Sequence, residues 1–274
     1  MELKKIRAIE LRLLLEGIYQ CYGYDFRDYA ESSIQRRVLR RLEAEGLKTI
    51  TNLQEKVLHD PQCMDRLIKD ISITLTEFFR DPGFYISFRN NVIPFLRTYP
   101  FIRIWCAGCA SGEEAYSLMI LLYEEGLYKK SFVYATDFNE AAISDAKTGI
   151  FSLNQIMKNP ENYRKVIGAK PFSEYFDIEN GKAVVKPHLR KYIIFSRHNL
   201  ATDSSFNEFN AILCRNVMIY FNKKLQDKVH DLIYDSLSPF GVLALGEKEN
   251  LKFTSQAKNY EVIDKDNKIY RKIG

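Results

Sequence analysis

The chain is poor in the residues that several functional classes need first. Its 274 residues include only five cysteines, four histidines and one tryptophan. An odd number of scattered cysteines argues against a disulfide framework. Cys106 and Cys109 form a lone C-x-x-C without a second pair at zinc-ribbon spacing. A four-ligand zinc site therefore has no support, no metal is expected, and small residues packed into a tight loop are the better account. No run of about 18 apolar residues occurs, and no basic segment followed by an apolar one opens the chain. The expectation is a soluble, cytoplasmic protein that does not insert into a membrane. Neither sign of charge dominates: 40 basic against 35 acidic residues leave +5. That is weaker than the footprint of a nucleic-acid binder.

The residues that are abundant point to an ordered α/β protein. A hydrophobic content of 46% can bury a core, and the length exceeds one domain of ordinary size, so a large and a small domain are expected. Residues 1–80 read as helical. Within Ser33–Ala44, Arg36, Arg37, Arg40 and Arg41 share one arc of the helix, and Ile34, Val38, Leu39 and Leu42 share the other. A solvated face and a docking surface for an anionic partner are both open readings of that arc. Two further short helices, Thr51–His59 and Cys63–Ser72, are split by Pro61. From Phe101 onward strands and helices alternate. This predicts a mainly parallel, doubly wound sheet with ligands at the strand C-termini. Phe151–Lys191 breaks the alternation, and Asn180-Gly181 within it is a hairpin signal. It reads as an inserted helical stretch with a small β-hairpin.

The chemistry is carried by the strand ends. Ile102–Cys106 runs into a loop of small residues, Ala107–Gly112, and then into Glu113 and Glu114 at a helix start. A strand, small loop and helix make a nucleotide site in open α/β sheets. Phosphate sites use bare N–H groups at a helix N-terminus, and two carboxylates there repel an anion. A cationic nucleoside fits better, and S-adenosylmethionine is the common one. Asp137 ends the next strand, where an acid binds ribose hydroxyls, although a helix cap near Asn139 is the alternative. The loop lacks the three-glycine spacing of dinucleotide sites. A later strand ends in Cys214-Arg-Asn-Val-Met-Ile-Tyr-Phe221. It lacks the prolines of the Asn-Pro-Pro motif of base-methylating enzymes, which argues against nucleic acid as substrate.

Four blocks then occur in order: Leu75–Arg80 (LTEFFR), Ala107–Ser117 with its Ser-Gly-Glu-Glu, Ala135-Thr-Asp137, and Cys214–Phe221. With the arginine-rich helix, they make the chain resemble the CheR family of chemotaxis methyltransferases over essentially its whole length. The resemblance implies a class I (Rossmann-like) methyltransferase sheet with an N-terminal helical domain and a small inserted β-subdomain. The corresponding segments are 1–80 for the helical receptor-docking domain and linker, 81–274 for the methyltransferase domain, and about 151–191 for the insertion. It implies methyl transfer from S-adenosylmethionine, leaving S-adenosylhomocysteine, to glutamate side chains of chemoreceptors. The implied cofactor contacts are Thr74, Thr76, Arg80, Glu114, Asp137, Asn199, Leu200, Arg215 and Asn216. Arg80 and Tyr220 would face the substrate carboxylate. Arg36, Arg37, Arg40 and Arg41 would dock the receptor's cytoplasmic helical bundle. In some members the inserted subdomain grips a receptor C-terminal tether peptide. This chain departs from the family at Thr74, where Asn is common, at Gly246-Glu-Lys-Glu249, where Gly-His-Ser-Glu is usual, and in extra residues around Arg164–Pro171. A non-catalytic adaptor that binds the same cofactor is the alternative from another class.

Overall fold

Apolar residues at helical spacing dominate the N-terminal region, and alternating strands and helices follow from Phe101 onward. A computed structural model of the chain describes residues 2–72, 76–158, 160–168, 170–252 and 254–274, to which all counts and absences refer. The chain divides into two units, Met1–Ile73 with Tyr220–Val229, and Thr74–Ile219 with His230–Gly274.

The first unit holds four helices, α1 (Glu2–Tyr22), α2 (Glu31–Ala44), α3 (Ile50–His59) and α4 (Pro61–Ile71). Thr49 caps α3 by accepting from the Asn52 N–H at 3.1 Å. Asp60 caps α4 by accepting from the Gln62 N–H at 2.9 Å. Pro61 therefore opens α4 at its first position, where a missing N–H costs nothing. The returning segment joins this unit through the Ala30 N–H, which donates to the Tyr220 carbonyl at 2.8 Å, and through a Tyr29–Phe221 bridge.

The four arginines of α2 do not share one exposed face. Arg36 and Arg40 are exposed, but Arg37 is buried among Ile34 and Val38. Its Nη1 donates to the Ile71 carbonyl, and its guanidinium carbon lies 4.9 Å from the Tyr220 ring centroid. Arg41 is turned inward to Asp70 at 2.6 Å and Glu45 at 3.1 Å. The neutralising acids lie outside α2, so helical periodicity alone could not show them. Glu45 also receives Arg66 at 2.7 Å and Lys56 at 2.6 Å. Hydrogen bonds from Arg66 and Lys56 hold its carboxyl down at about 2.

The second unit opens with α5 (Pro82–Ser87), a π-helical turn over Phe88–Val92, and α6 (Ile93–Leu96). Pro94 has no N–H to give the preceding turn, and the helix widens just before it. The sheet and its crossings come next in order: β1 (Ile102–Ala107), α7 (Glu113–Glu124), β2 (Ser131–Asp137), α8 (Glu140–Thr148), β3 (Ile150–Ser152), α9 (Leu153–Lys158), α10 (Pro160–Val166), β4 (Phe176–Glu179), β5 (Lys182–Val185), α11 (Pro187–Arg190), β6 (Ile193–Arg197), β7 (Phe209–Cys214), α12 (Lys223–Ser236), β8 (Leu237–Leu245), β9 (Tyr260–Asp264) and β10 (Ile269–Lys272). Helix α12 begins in the first unit and ends in the second.

Seven strands form one sheet in the order β6-β2-β1-β7-β8-β10-β9. The first five are parallel, and β10 runs antiparallel to both β8 and β9. Strand β1 is the switch point: the chain winds from it to β2 on one side and β7 on the other, which opens a crevice at the C-terminal strand ends. Trp105 on β1 is fully buried. Its indole N–H donates to the Thr136 hydroxyl at 2.8 Å, and its ring packs against His198, Phe206 and Phe209.

The insertion is a second, antiparallel sheet in the order β3-β5-β4. Asn180 and Gly181 turn β4 into β5, both with positive φ (48° and 71°), as a tight hairpin of this hand requires. The insertion thus has three strands, one more than the hairpin signal alone indicates.

Candidate functional site

The loop after β1 takes its shape from residues that tolerate a left-handed backbone. Gly108 has φ +77°, and a Cβ there would lie 2.4 Å from the Val217 Cγ2. Only glycine allows that approach. Ala110 is also left-handed, at φ 47°. Its N–H points at Asp137 Oδ2 at 3.0 Å, while the Asn139 N–H donates to Oδ1 at 2.9 Å. Backbone donors, Ala110 and Asn139 among them, thus hold the acid that ends β2 beside the loop after β1. The helix cap is Asn139, which accepts from the Ala141 N–H at 3.0 Å, so Asp137 does not serve as the cap. Burial pushes the Asp137 carboxyl up, partly offset by these N–H groups. With backbone donors at Ala110, Phe138 and Asn139, the carboxylate still keeps acceptor capacity for a hydroxyl donor.

Of the two glutamates that start α7, Glu113 is turned into the protein. It accepts from the Ser111 hydroxyl at 2.7 Å and from Gln155 at 3.3 Å, and burial pushes it up to about 6. Glu114 is paired through Oε2 with Arg215 Nη1 at 2.8 Å. Its other oxygen, Oε1, accepts no hydrogen bond among the described residues, and the side chain keeps an open edge. Burial raises the Glu114 carboxyl, and Arg215 and then Arg80 oppose the rise.

Arg215 follows β7 and is buried down to 1% side-chain exposure. It spans Glu114, Asp81 at 2.9 Å and the Arg80 carbonyl at 3.3 Å, and lies 3.9 Å over the Phe84 ring. Burial would lower its guanidinium, but Glu114, Tyr85 and Asp81 more than reverse that. Its buried Nε has no hydrogen-bond partner among the described residues. Such an orphaned donor costs free energy unless an acceptor is supplied.

Phe78 and Phe79 anchor the segment carrying Thr76 and Arg80. Phe78 packs against Phe151, Phe172 and Phe176 of the insertion region, and the Phe79 N–H donates to the Ser117 hydroxyl on α7 at 2.9 Å. Thr76 and Arg80 are both partly exposed. Thr74 lies outside the described residues. Asn199 is buried; its N–H donates to Asp203 at 2.9 Å and its Oδ1 accepts from the Ala201 N–H at 3.0 Å. Leu200 beside it is buried. The preceding His198 N–H donates to the Asp137 carbonyl at 3.0 Å, which ties this turn to the end of β2. Glu114, Asp137, Asn199, Leu200, Arg215 and Asn216 thus gather at the C-terminal ends of β1, β2, β6 and β7. Tyr220 and the α2 arginines belong to the helical unit. Cys106 and Cys109 are buried in the core, with thiols pushed well above their usual range by burial.

Sequence reasoning singled out Glu249 only as the last residue of an unusual block. Its carboxylate accepts from four backbone N–H groups: Asn216 at 2.9 Å, Val217 at 2.8 Å, Met218 at 2.7 Å and Gly246 at 2.7 Å. A Gly-x-x-Glu spacing lets the side chain fold back on its own turn, which was the one local signal available. Asp81 was likewise not singled out.

The donor set fits S-adenosylmethionine. An open Glu114 oxygen suits an ammonium, the Asp137 oxygens suit ribose hydroxyls, and a buried orphan donor on Arg215 awaits an acceptor. Fold and site together define an S-adenosylmethionine-dependent methyltransferase. Comparison with known proteins makes the class specific. Residues 74–269 match the family model "CheR methyltransferase, SAM binding domain", and residues 9–72 match "CheR methyltransferase, all-alpha domain". A Pseudomonas putida protein named Cher3 is 45% identical over 264 residues, covering 96% of this chain and 97% of that one. The chemotaxis protein methyltransferase of Borreliella burgdorferi is 30% identical over 260 residues, covering 89% and 88%. That of Listeria innocua is 31% identical over 231 residues, covering 84% and 85%. The chain belongs to the CheR family of methyltransferases.

Proposed function

We propose that this methyltransferase esterifies glutamate side chains on the cytoplasmic helical bundle of chemoreceptors. The observation that carries the reading is the carboxylate pair at the strand ends: Asp137, pinned by backbone N–H groups, and Glu114, with one oxygen left open. In this reading Glu114 binds the methionine ammonium and Asp137 the ribose. Asn199 and Leu200 line the adenine side. Arg215, Asn216, Thr74, Thr76 and Arg80 complete the cofactor contacts. S-adenosylmethionine supplies an electrophilic methyl group on a sulfonium.

The protein's own work is positioning. A glutamate carboxylate has a reference pKa near 4.3, so at neutral pH it is already ionised and needs no strong base. Arg80 holds that carboxylate without protonating it, and Tyr220 orients it through its hydroxyl. Water exclusion strengthens both contacts by lowering the local dielectric, and it strips the carboxylate of the hydration that makes it a poor nucleophile. Docking falls to Arg36 and Arg40, the two arginines of α2 that remain exposed. A receptor tether peptide on the inserted sheet is a further contact of the same reading. No helix among the described residues is long and apolar enough to cross a membrane, which accords with action on the cytoplasmic part of the receptor.

The test is methylation of receptor-bearing membranes with cofactor labelled in its methyl group. Base-labile label on receptor glutamates is expected, and its absence removes the reading. Arg80→Ala should lower turnover about 100-fold while cofactor affinity changes far less. Unchanged transfer in that variant would sink the role of Arg80.

A further inference from the structure

Glu249 is 5% exposed, and its carboxylate is surrounded by backbone rather than by cations. Three of its four donors are consecutive N–H groups, Asn216 to Met218. That run turns the chain immediately after Arg215. Asn216 sits at φ 63°, a left-handed conformation that costs a non-glycine residue free energy. The turn therefore needs something to hold it, and the carboxylate supplies charge-assisted hydrogen bonds. The fourth donor, Gly246, lies against the same turn. A Cβ at Gly246 would fall 2.7 Å from the Asn216 nitrogen and 2.8 Å from Glu249 Oε2. One residue further on, Val217 presses on Gly108 in the loop after β1. The path from Glu249 thus reaches the turn after Arg215 through backbone and the loop after β1 through the Val217 side chain, without Glu249 itself facing the crevice.

We infer that Glu249 is a positioning residue: it clamps the Arg215–Val217 turn so that Arg215 and Asn216 meet the cofactor and Val217 seats the Gly108 loop. The inference rests on the reading that Asn216 and Arg215 contact the cofactor. The clamp closes the Gly246–Glu249 turn on itself. The two middle residues, Glu247 and Lys248, are exposed, while Gly246 and Glu249 carry the clamp.

The test uses the full chain with S-adenosylmethionine as titrant. Glu249→Gln keeps the size of the side chain but turns an amide N–H₂ towards donors. It should raise Kd and KM for S-adenosylmethionine about tenfold. At saturating cofactor, kcat should stay within about threefold of the wild type, because the reacting groups remain. Lys248→Ala, an exposed neighbour, should change neither. A merely structural role for Glu249 would lower the melting temperature and leave Kd unchanged. A folded Glu249→Gln protein that binds within about twofold of the wild type overturns the inference. If Glu249→Gln does not fold, Glu249→Asp carries the test, because it keeps the charge but is one methylene too short to meet all four donors. A rise of about threefold in Kd is expected there, and an unchanged Kd overturns the clamp. Asn216→Ala separates the two layers. Wild-type affinity in that variant removes the contact reading itself, whereas a loss there with none in Glu249→Gln removes only the clamp.

Discussion

Glu45 in the helical unit and Glu249 in the sheet unit are both carboxylates crowded by donors, but they are satisfied in opposite ways. Glu45 is met by three side-chain cations, Arg41, Lys56 and Arg66, at 2.6–3.1 Å. Glu249 is met by four backbone N–H groups. The cations hold the Glu45 carboxyl down at about 2, whereas burial raises that of Glu249. Asp137 shares the pattern of Glu249, with burial raising it and backbone donors fixing it. Side-chain cations can swing away and are screened by salt. Backbone donors move only if the chain moves. The first arrangement ties α2 to α3 and α4, and the second fixes the path of the main chain.

The contrast is most open to challenge at Asp137. Asp137→Ala removes the acceptor of the Ala110 and Asn139 N–H groups and the proposed ribose contact together. Cofactor affinity should fall more than about 100-fold, on the order of the loss of several charged hydrogen bonds. Calorimetric titration with S-adenosylmethionine measures it, and binding within about tenfold of the wild type would contradict the assignment.

The next largest effects are on stability against pH, and they have opposite signs in the two units. The Glu113 carboxyl is raised to about 6 in the folded state. Between its unfolded value near 4.5 and about 6 the folded protein binds the extra proton. Stability from this group therefore falls as pH rises through that window, by up to about 2 kcal/mol. Glu113→Gln should abolish that fall in denaturant unfolding curves. Glu45, lowered to about 2, stabilises fully above its unfolded value near 4.5, and that stability is lost as pH falls towards 2. Glu45→Gln should remove this acid limb and leave the Glu113 window intact. Matching pH profiles for the two variants would erase the distinction.

The smallest effects belong to α2. Arg36→Ala and Arg40→Ala should change unfolding free energy by less than about 0.5 kcal/mol. They should weaken receptor binding several-fold at low salt, and less as salt rises. Arg41→Ala should destabilise instead, because it leaves Asp70 and Glu45 short of a partner. Equal loss of receptor binding in all three would restore a single docking face.

Much of this molecule was legible from local patterns. The small loop after Ile102–Cys106, the acid closing β2 and the turn at Asn180-Gly181 each depend on neighbours in sequence. The features that escaped depend on distant partners. Arg37 is internal because Ile71 and Tyr220 cover it, and no helical wheel of α2 contains them. Arg41 is internal because of Asp70 on α4. Arg215 and Glu114 pair across 101 positions. Glu249 was invisible as a clamp because its partners are main-chain groups, which carry no letter in a sequence.

Trp105 has a practical consequence. It is the only tryptophan in the chain, and it lies three residues before Gly108. Its ring packs edge-on against His198, the residue before Asn199. Intrinsic fluorescence excited at the indole band therefore comes from a single chromophore buried between β1 and the turn after β6. A change in that emission on adding S-adenosylmethionine would report on the turn that carries Asn199 in the unlabelled, unmutated protein, without a coupled assay or a dye.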